Sequence, residues 1–500
     1  MAELLMKRLG AAVVLFAVMV APMSQAQDLK EFERRLTEFT LNNGLKFLVL
    51  ERREVPVVSF HTYADVGAVN EVTGITGMAH LFEHMAFKGT RTIGTKDYEA
   101  EAAAMAGMDE LFDAIKKEKG KGDQADPNIL NKLQEQFDQA SEEAQKYIVH
   151  DEYEEVLTQQ GAEGFNAYTS EDATQYIVSL PSNKIELWMM LESDRFAHPV
   201  LREFYKEREV VIEERRMMEN QPTGRLYEEF LGIAYLAHPY GTSVIGHMSD
   251  VQALTRGEAE AFFRTYYGPS NLTIAIVGDV DPANVKRLAQ KYFADIPSGP
   301  KPEPVETVEP PQRGERRVTL EDPAQPIILL GYHQPSVNHA DSTVLQVVGE
   351  IVGRGRTSRL YKSLVKEKKI AVSANAGPML NKYPALFLFM AVSARGHTNQ
   401  ECEQALYAEI EKLKTEAVLP EELTKAKTRS RADLIRQLDS NSGLAAQLTF
   451  YEVVTGDWRN LFQELDRIDA VTAEDVQRVA TTYFTTKNRT VGAIETAVSQ

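Results

Sequence analysis

The segment His80-Leu81-Phe82-Glu83-His84 puts two imidazoles and a carboxylate within little more than one helical turn. At about 100° per residue, His84 falls about 40° from His80 on a helical wheel, and Glu83 about 60° to the other side. Met78, Phe82 and Met85 fall roughly opposite, at about 140° to 200°. The pattern predicts a helix over 76–87, with Thr76 as N-cap and Gly89 just past the end. One face is apolar and the other carries the polar trio. Two histidines one turn apart can direct ring nitrogens at a single tetrahedral Zn2+. Glu83 beside them suits a general base on zinc-bound water, whose pKa the metal lowers toward neutrality. The order is the inverse of the commoner His-Glu-x-x-His motif.

A catalytic zinc needs a third protein ligand and an open position. The helix predicted over 201–218 offers Glu203, Glu207, Glu209, Glu213 and Glu214. Glu207 and Glu214 are seven apart and share a face, with Val210 and Val211 between them. Glu209 and Glu213 fall elsewhere on the wheel. Spacing alone does not choose Glu214 over its neighbours, and an ordinary solvated acidic helix has the same composition. The remaining histidines have no comparable spacing and read as structural or surface residues. Cys402, the only cysteine, is flanked by Glu401 and Glu403, which disfavours its thiolate and a catalytic role.

These groups must be held by a fold, and the chain reads as α+β. Strands are predicted over 45–50 and 57–66, split by the polar turn Glu51-Arg52-Arg53-Glu54. After the histidine helix come a strand over 172–180, helices over 184–196 and 201–218, and a strand over 272–277. Later segments repeat the theme: strand 327–332, helix 342–352, strand 385–392, helices 421–437 and 470–483, strand 489–494. The order strand, helix, strand, paired helices, strand thus occurs twice, an internal repeat of one α+β unit. Pro297, Pro300, Pro302, Pro304, Pro310 and Pro311 mark an extended linker between the two copies. The plan is a zinc-binding domain over 27–298, a linker over 299–317 and a second domain over 318–500. A charged, helix-favouring stretch over 100–163, broken by a turn near 120–127, reads as a helical hairpin inserted into the first domain.

Lys7 and Arg8 precede an apolar run over 9–20, and Ser24-Gln25-Ala26 supplies small residues for cleavage after Ala26. That is the pattern of a secretory signal peptide, and it places the protein in a periplasm or outside the cell. No other stretch approaches about 18 uninterrupted apolar residues, so no stable membrane anchor is expected. The net charge of −18 becomes −19 without residues 1–26 and argues against nucleic-acid partners.

Beyond the histidine motif the residues resemble a known family, the inverted zinc peptidases of the pitrilysin, insulinase and mitochondrial processing peptidase group. The resemblance rests on the run from Gly77 to Thr90, then on Asn166-Ala167-Tyr168-Thr169 with Asp172, Thr174 and Tyr176. It continues through Glu207-Arg208-Glu209-Val210-Val211-Ile212-Glu213-Glu214 to Ser358-Arg359-Leu360-Tyr361. It implies two related domains forming one half-shell of a two-shell chamber. By the resemblance, Glu214 is the third zinc ligand and Glu207 a carboxylate that supports the ligands. The family usually sets its third ligand some fifty residues closer to the histidines, and the 100–163 insertion accounts for the difference.

The resemblance also makes the strand of Asn166, Ala167 and Tyr168 an edge to which an extended substrate adds, implying peptide or unfolded-protein substrates. The activity implied is a zinc metalloendopeptidase. The rival reading is a non-catalytic peptidase-like subunit, which would be expected to lack Glu83 or a histidine. In the family a second half-shell supplies an Arg and, seven residues on, a Tyr that help hold the substrate and its oxyanion. Here the aligned places fall on Val365 and Val372, which have no side-chain donors. A heterodimer with a related chain carrying that pair is therefore expected, with a homodimer using other donors as the alternative.

Overall fold

The computed structural model describes residues 32–496; the leader and its cleavage point after Ala26 lie outside them. The fold is α+β, with two sheets, each backed by helices. The first sheet has the order β1-β2-β6-β3-β5-β4, from Leu36–Thr40 (β1), Lys46–Glu51 (β2), Val57–Ala64 (β3), Glu163–Thr169 (β4), Thr174–Pro181 (β5) and Leu272–Gly278 (β6). The second has the order β7-β11-β8-β10-β9, from Arg316–Asp322 (β7), Ile327–Gln334 (β8), Ala371–Pro378 (β9), Ala385–Ser393 (β10) and Arg489–Thr496 (β11). β6 is buried along its whole length, and its Leu-Thr-Ile-Ala-Ile-Val run suits a strand covered on both faces. β4 lies at the edge of its sheet, paired to β5 from Asn166↔Ile177 to Thr169↔Thr174. Its other side is open.

Seven helices carry the chemistry, frame it or join it to the second sheet. α1 (Met78–Met85) is followed by α2 (Tyr98–Lys119), α3 (Pro127–Gln145) and α4 (Glu152–Gln159). Next come α5 (Ile185–Ala197), α6 (Phe204–Asn220) and α7 (Pro222–Ala234). α1 is shorter than the 76–87 expected from sequence. Its N-cap is Gly77 in the left-handed region (φ 86°), not Thr76. The Thr76 hydroxyl instead donates to Asp250 (2.8 Å) and accepts from the His247 N–H (2.8 Å), so a tertiary contact outbids the local cap. The 100–163 stretch holds α2 and α3 as an antiparallel pair, but it also contains α4, and Glu163 opens β4. Gly161 (φ 87°) and Gly164 (φ 61°) admit that switch from helix to strand.

Each unit lends a helix to the other's sheet. Leu226 and Phe230 of α7 pack on Leu329 and Ile494 of the second sheet. Gly331 and Gly492 make room there, since a Cβ on Gly331 would sit 2.6 Å from the Phe230 ring. In return, a helix over Asn441–Thr455 places Leu444, Ala445 and Leu448 against Leu48, Leu50 and Val277 of the first sheet. Phe230→Ala is expected to destabilise the chain by about 3–5 kcal/mol, because a fully buried ring leaves a cavity. Urea unfolding of the full chain measures this, and a loss under about 1 kcal/mol would mean the helix is dispensable to the second sheet.

Candidate active site

α1 buries Met78, Ala79, Leu81, Phe82 and Met85. Phe82 sits among Phe262, Phe263 and Tyr267, with ring centroids 5.1 to 6.1 Å away. That apolar face fixes the helix's rotation and leaves His80, Glu83 and His84 on the other side, each half-buried. α6 packs alongside α1. It buries Phe204, Tyr205, Arg208, Val211 and Ile212, which turns Glu207 and Glu214 toward the histidines.

The two helices bring His80, His84 and Glu214 together, with one ligand-type atom from each inside 4.8 Å of the others. Glu214 Oε2 lies 3.7 Å from His80 Nε2 and 3.6 Å from His84 Nε2. Around a tetrahedral Zn2+ with bonds of about 2.0–2.1 Å, neighbouring ligand atoms are about 3.3 Å apart, so the donor set fits zinc with a small adjustment. Burial and the neighbouring His84 push His80 down to about 4, so its ring is neutral and can donate a lone pair.

Glu207 meets the other side of His84: its Oε2 lies 3.5 Å from His84 Nδ1. Its second oxygen is taken by Lys88 Nζ at 2.5 Å. Burial opposes ionisation of Glu207, but the His84 and Lys88 contacts outweigh it and hold the carboxyl below its ordinary value. Burial would likewise lower His84, yet the Glu207 hydrogen bond and the charges of Glu214, Glu207 and Glu83 raise it. Of the two carboxylates on the shared face, Glu214 alone approaches both Nε2 atoms. Glu209 and Glu213 are well exposed and pair with Arg208 and Arg216.

Beside the trio is a cleft of about 260 Å³ lined by Glu83, His84, Lys88, Asn166, Ala167 and Glu207, with Phe87 at its wall. Edge strand β4 is therefore next to the polar face of α1. The Tyr168 side chain is not in this cleft: its hydroxyl donates to Gln175 (2.8 Å) and lies 3.4 Å from His61 Nε2. Asp151 and Glu154, at the start of α4, close the cleft from the inserted segment. Sequence reasoning passed over them, and only tertiary structure brings them near. Lys88 could have been found, since it follows His84 by four residues and no cation stands three or four residues from Glu207 on its own helix.

Comparison with known proteins points in the same direction. The family model described as insulinase (peptidase family M16) matches residues 47–114 and 140–247, and that described as peptidase M16 inactive domain matches 253–430. The residues unmatched between the first two blocks lie on the α2–α3 pair. A relative named zinc protease PqqE, from Helicobacter pylori, is 28% identical over 484 residues, covering 95% of each chain. A solved protease structure from Helicobacter pylori superposes with a TM-score of 0.77 at 27% identity, covering 92% of this chain and 99% of that one. The periplasmic protease PqqL from Escherichia coli shares the fold at a TM-score of 0.67 and 18% identity. That likeness covers 93% of this chain but 48% of that one.

Proposed function

Since this chain belongs to the insulinase (M16) family of peptidases, we propose that it is a zinc-dependent endopeptidase acting on peptides or unfolded protein segments. The observation that carries this reading is the approach of Glu214 Oε2 to both histidine Nε2 atoms, with Glu83 left free in the adjoining cleft. Zinc, when bound, supplies a Lewis acid that acidifies water and polarises the scissile carbonyl.

The chain's own residues do the rest. His80, His84 and Glu214 would hold the metal, and Glu207 with Lys88 orients the His84 ring from behind. The open side of β4 would pair with an extended substrate backbone, placing a peptide bond beside Glu83. Glu83 takes a proton from the attacking water as its oxygen bonds the carbonyl carbon. It then returns the proton to the departing amine as the C–N bond breaks. Assay of the purified chain on an unstructured peptide, with and without a zinc chelator, tests the activity. Hydrolysis indifferent to full metal removal would refute it.

The partner follows from what the cleft lacks. Val372 lies exposed on β9 and Val365 is packed against the second core, so neither offers a donor to a developing oxyanion. The Escherichia coli neighbour, twice as long in aligned terms, fits a pair of half-shells. A heterodimer with a related chain that supplies an Arg and a Tyr is therefore proposed. Adding that chain is expected to raise peptidase activity by about 10²–10³, the usual worth of an oxyanion donor. Full activity from the lone chain as a homodimer would rule the heterodimer out. Export is proposed on the N-terminal leader alone; among the described residues no helix is long and apolar enough to cross a membrane. N-terminal sequencing of the mature protein is expected to begin at Gln27.

A further inference from the structure

The two candidate histidine ligands are oriented differently. His84 has a carboxylate behind its ring, with Glu207 Oε2 3.5 Å from Nδ1. The Nδ1 of His80 is buried and has no hydrogen-bond partner among the described residues. Metal-ligating histidines are normally fixed by a partner on the second ring nitrogen. For His80 that duty falls on its backbone.

That backbone is the first turn of α1, which is short and poorly capped. Eight residues are too few for a helix to persist on its own. Its N-cap, Gly77, has no side chain to satisfy the orphan N–H groups. Glu71 satisfies them from outside the helix: Oε2 accepts from Gly77 N–H at 2.8 Å and Oε1 from Ala79 N–H at 2.7 Å. His80 is the next residue. Glu71 is only 7% exposed. Burial, with a smaller push from the charge of Asp250, raises its carboxyl to about 8, opposed by the helix N–H groups. An unpaired acid buried at this cost calls for a reason beyond packing. Asp250 offers a contrast, since it holds the preceding turn through Gly74 N–H, Thr76 N–H and the Thr76 hydroxyl, and does not touch the helix.

We propose that Glu71 is a positioning residue for the metal, fixing the His80 ring by clamping the first turn of α1. The proposal rests on the zinc-site reading above. It is tested by the zinc dissociation constant of the full chain, measured by competition with a chromogenic chelator. Glu71→Gln is expected to weaken zinc binding about 10–100-fold, the usual effect of losing a group that orients a ligand. Glu71→Met removes both acceptors and puts an apolar side chain of similar size in the buried site, so it is expected to fold while losing the same zinc affinity. Asp250→Asn is expected to lower the thermal midpoint of the metal-free chain without changing zinc affinity. Wild-type zinc affinity in both folded Glu71 variants would overturn the proposal while leaving the zinc site standing. A wild-type chain that binds no zinc would remove the zinc site and the proposal together.

Discussion

Glu83→Gln is expected to lower kcat/KM for peptide hydrolysis by about 10² or more, because general acid–base catalysis is worth that much, while zinc content stays at the wild-type level. The two halves of this expectation come from different features of the structure. Glu83 lines the cleft beside β4, where an attacking water and an extended peptide would meet. It is absent from the trio whose ligand atoms converge within 4.8 Å, so its loss leaves the donor set intact. Gln keeps the shape and removes the proton acceptor. Near-normal turnover by a zinc-loaded Glu83→Gln chain would take Glu83 out of the mechanism.

His84→Ala is expected to differ in the metal half of that result and abolish both metal binding and hydrolysis. It removes a ring nitrogen 3.6 Å from Glu214 Oε2 and strands Glu207, whose remaining partner is Lys88. The loss in zinc affinity is expected to exceed the roughly 10–100-fold that removal of a supporting group such as Glu207 brings. Glu214→Gln is expected to follow His84→Ala, and Glu207→Gln to show the milder effect. Equilibrium dialysis against buffered zinc orders the four proteins. A Glu207→Gln chain that loses zinc while Glu214→Gln keeps it would exchange the roles of the two carboxylates.

The site was legible in sequence wherever the signal was local. The spacing of Met78, Phe82 and Met85 against His80, Glu83 and His84 fixes the buried face of α1 without reference to the rest of the chain. The seven-residue interval between Glu207 and Glu214 likewise predicts a shared face, but not which carboxylate meets both imidazoles. That depends on how α6 lies across α1. The start of α1 was misplaced for the same reason: Thr76 is a good cap by type, yet Asp250, distant in sequence, claims its hydroxyl. Glu71 and the α4 carboxylates Asp151 and Glu154 leave no periodic trace at all.

Fold elements followed the same rule. β6 and β10 are apolar runs and were read directly. β7 (Arg-Arg-Val-Thr-Leu-Glu-Asp) and β9 (Ala-Val-Ser-Ala-Asn-Ala-Gly-Pro) are edge strands with charged or small residues, and pairing to β11 and β10 makes them strands. A helix not read from sequence, Asn460–Ala470, ends where the helix predicted over 470–483 begins, and the predicted helix itself runs Ala473–Tyr483. Thr472 caps the second through the Asp475 N–H, with Asp475 bonding back in a reciprocal box.

The most direct measurement is a crystal structure of the purified chain with anomalous data collected on either side of the zinc absorption edge. One zinc peak per chain is expected, within about 2.0–2.2 Å of a nitrogen of His80, a nitrogen of His84 and an oxygen of Glu214, with Glu83 outside bonding distance. A peak held by Glu207 instead of Glu214, a peak away from α1 and α6, or no zinc peak in protein kept free of chelators would contradict the account.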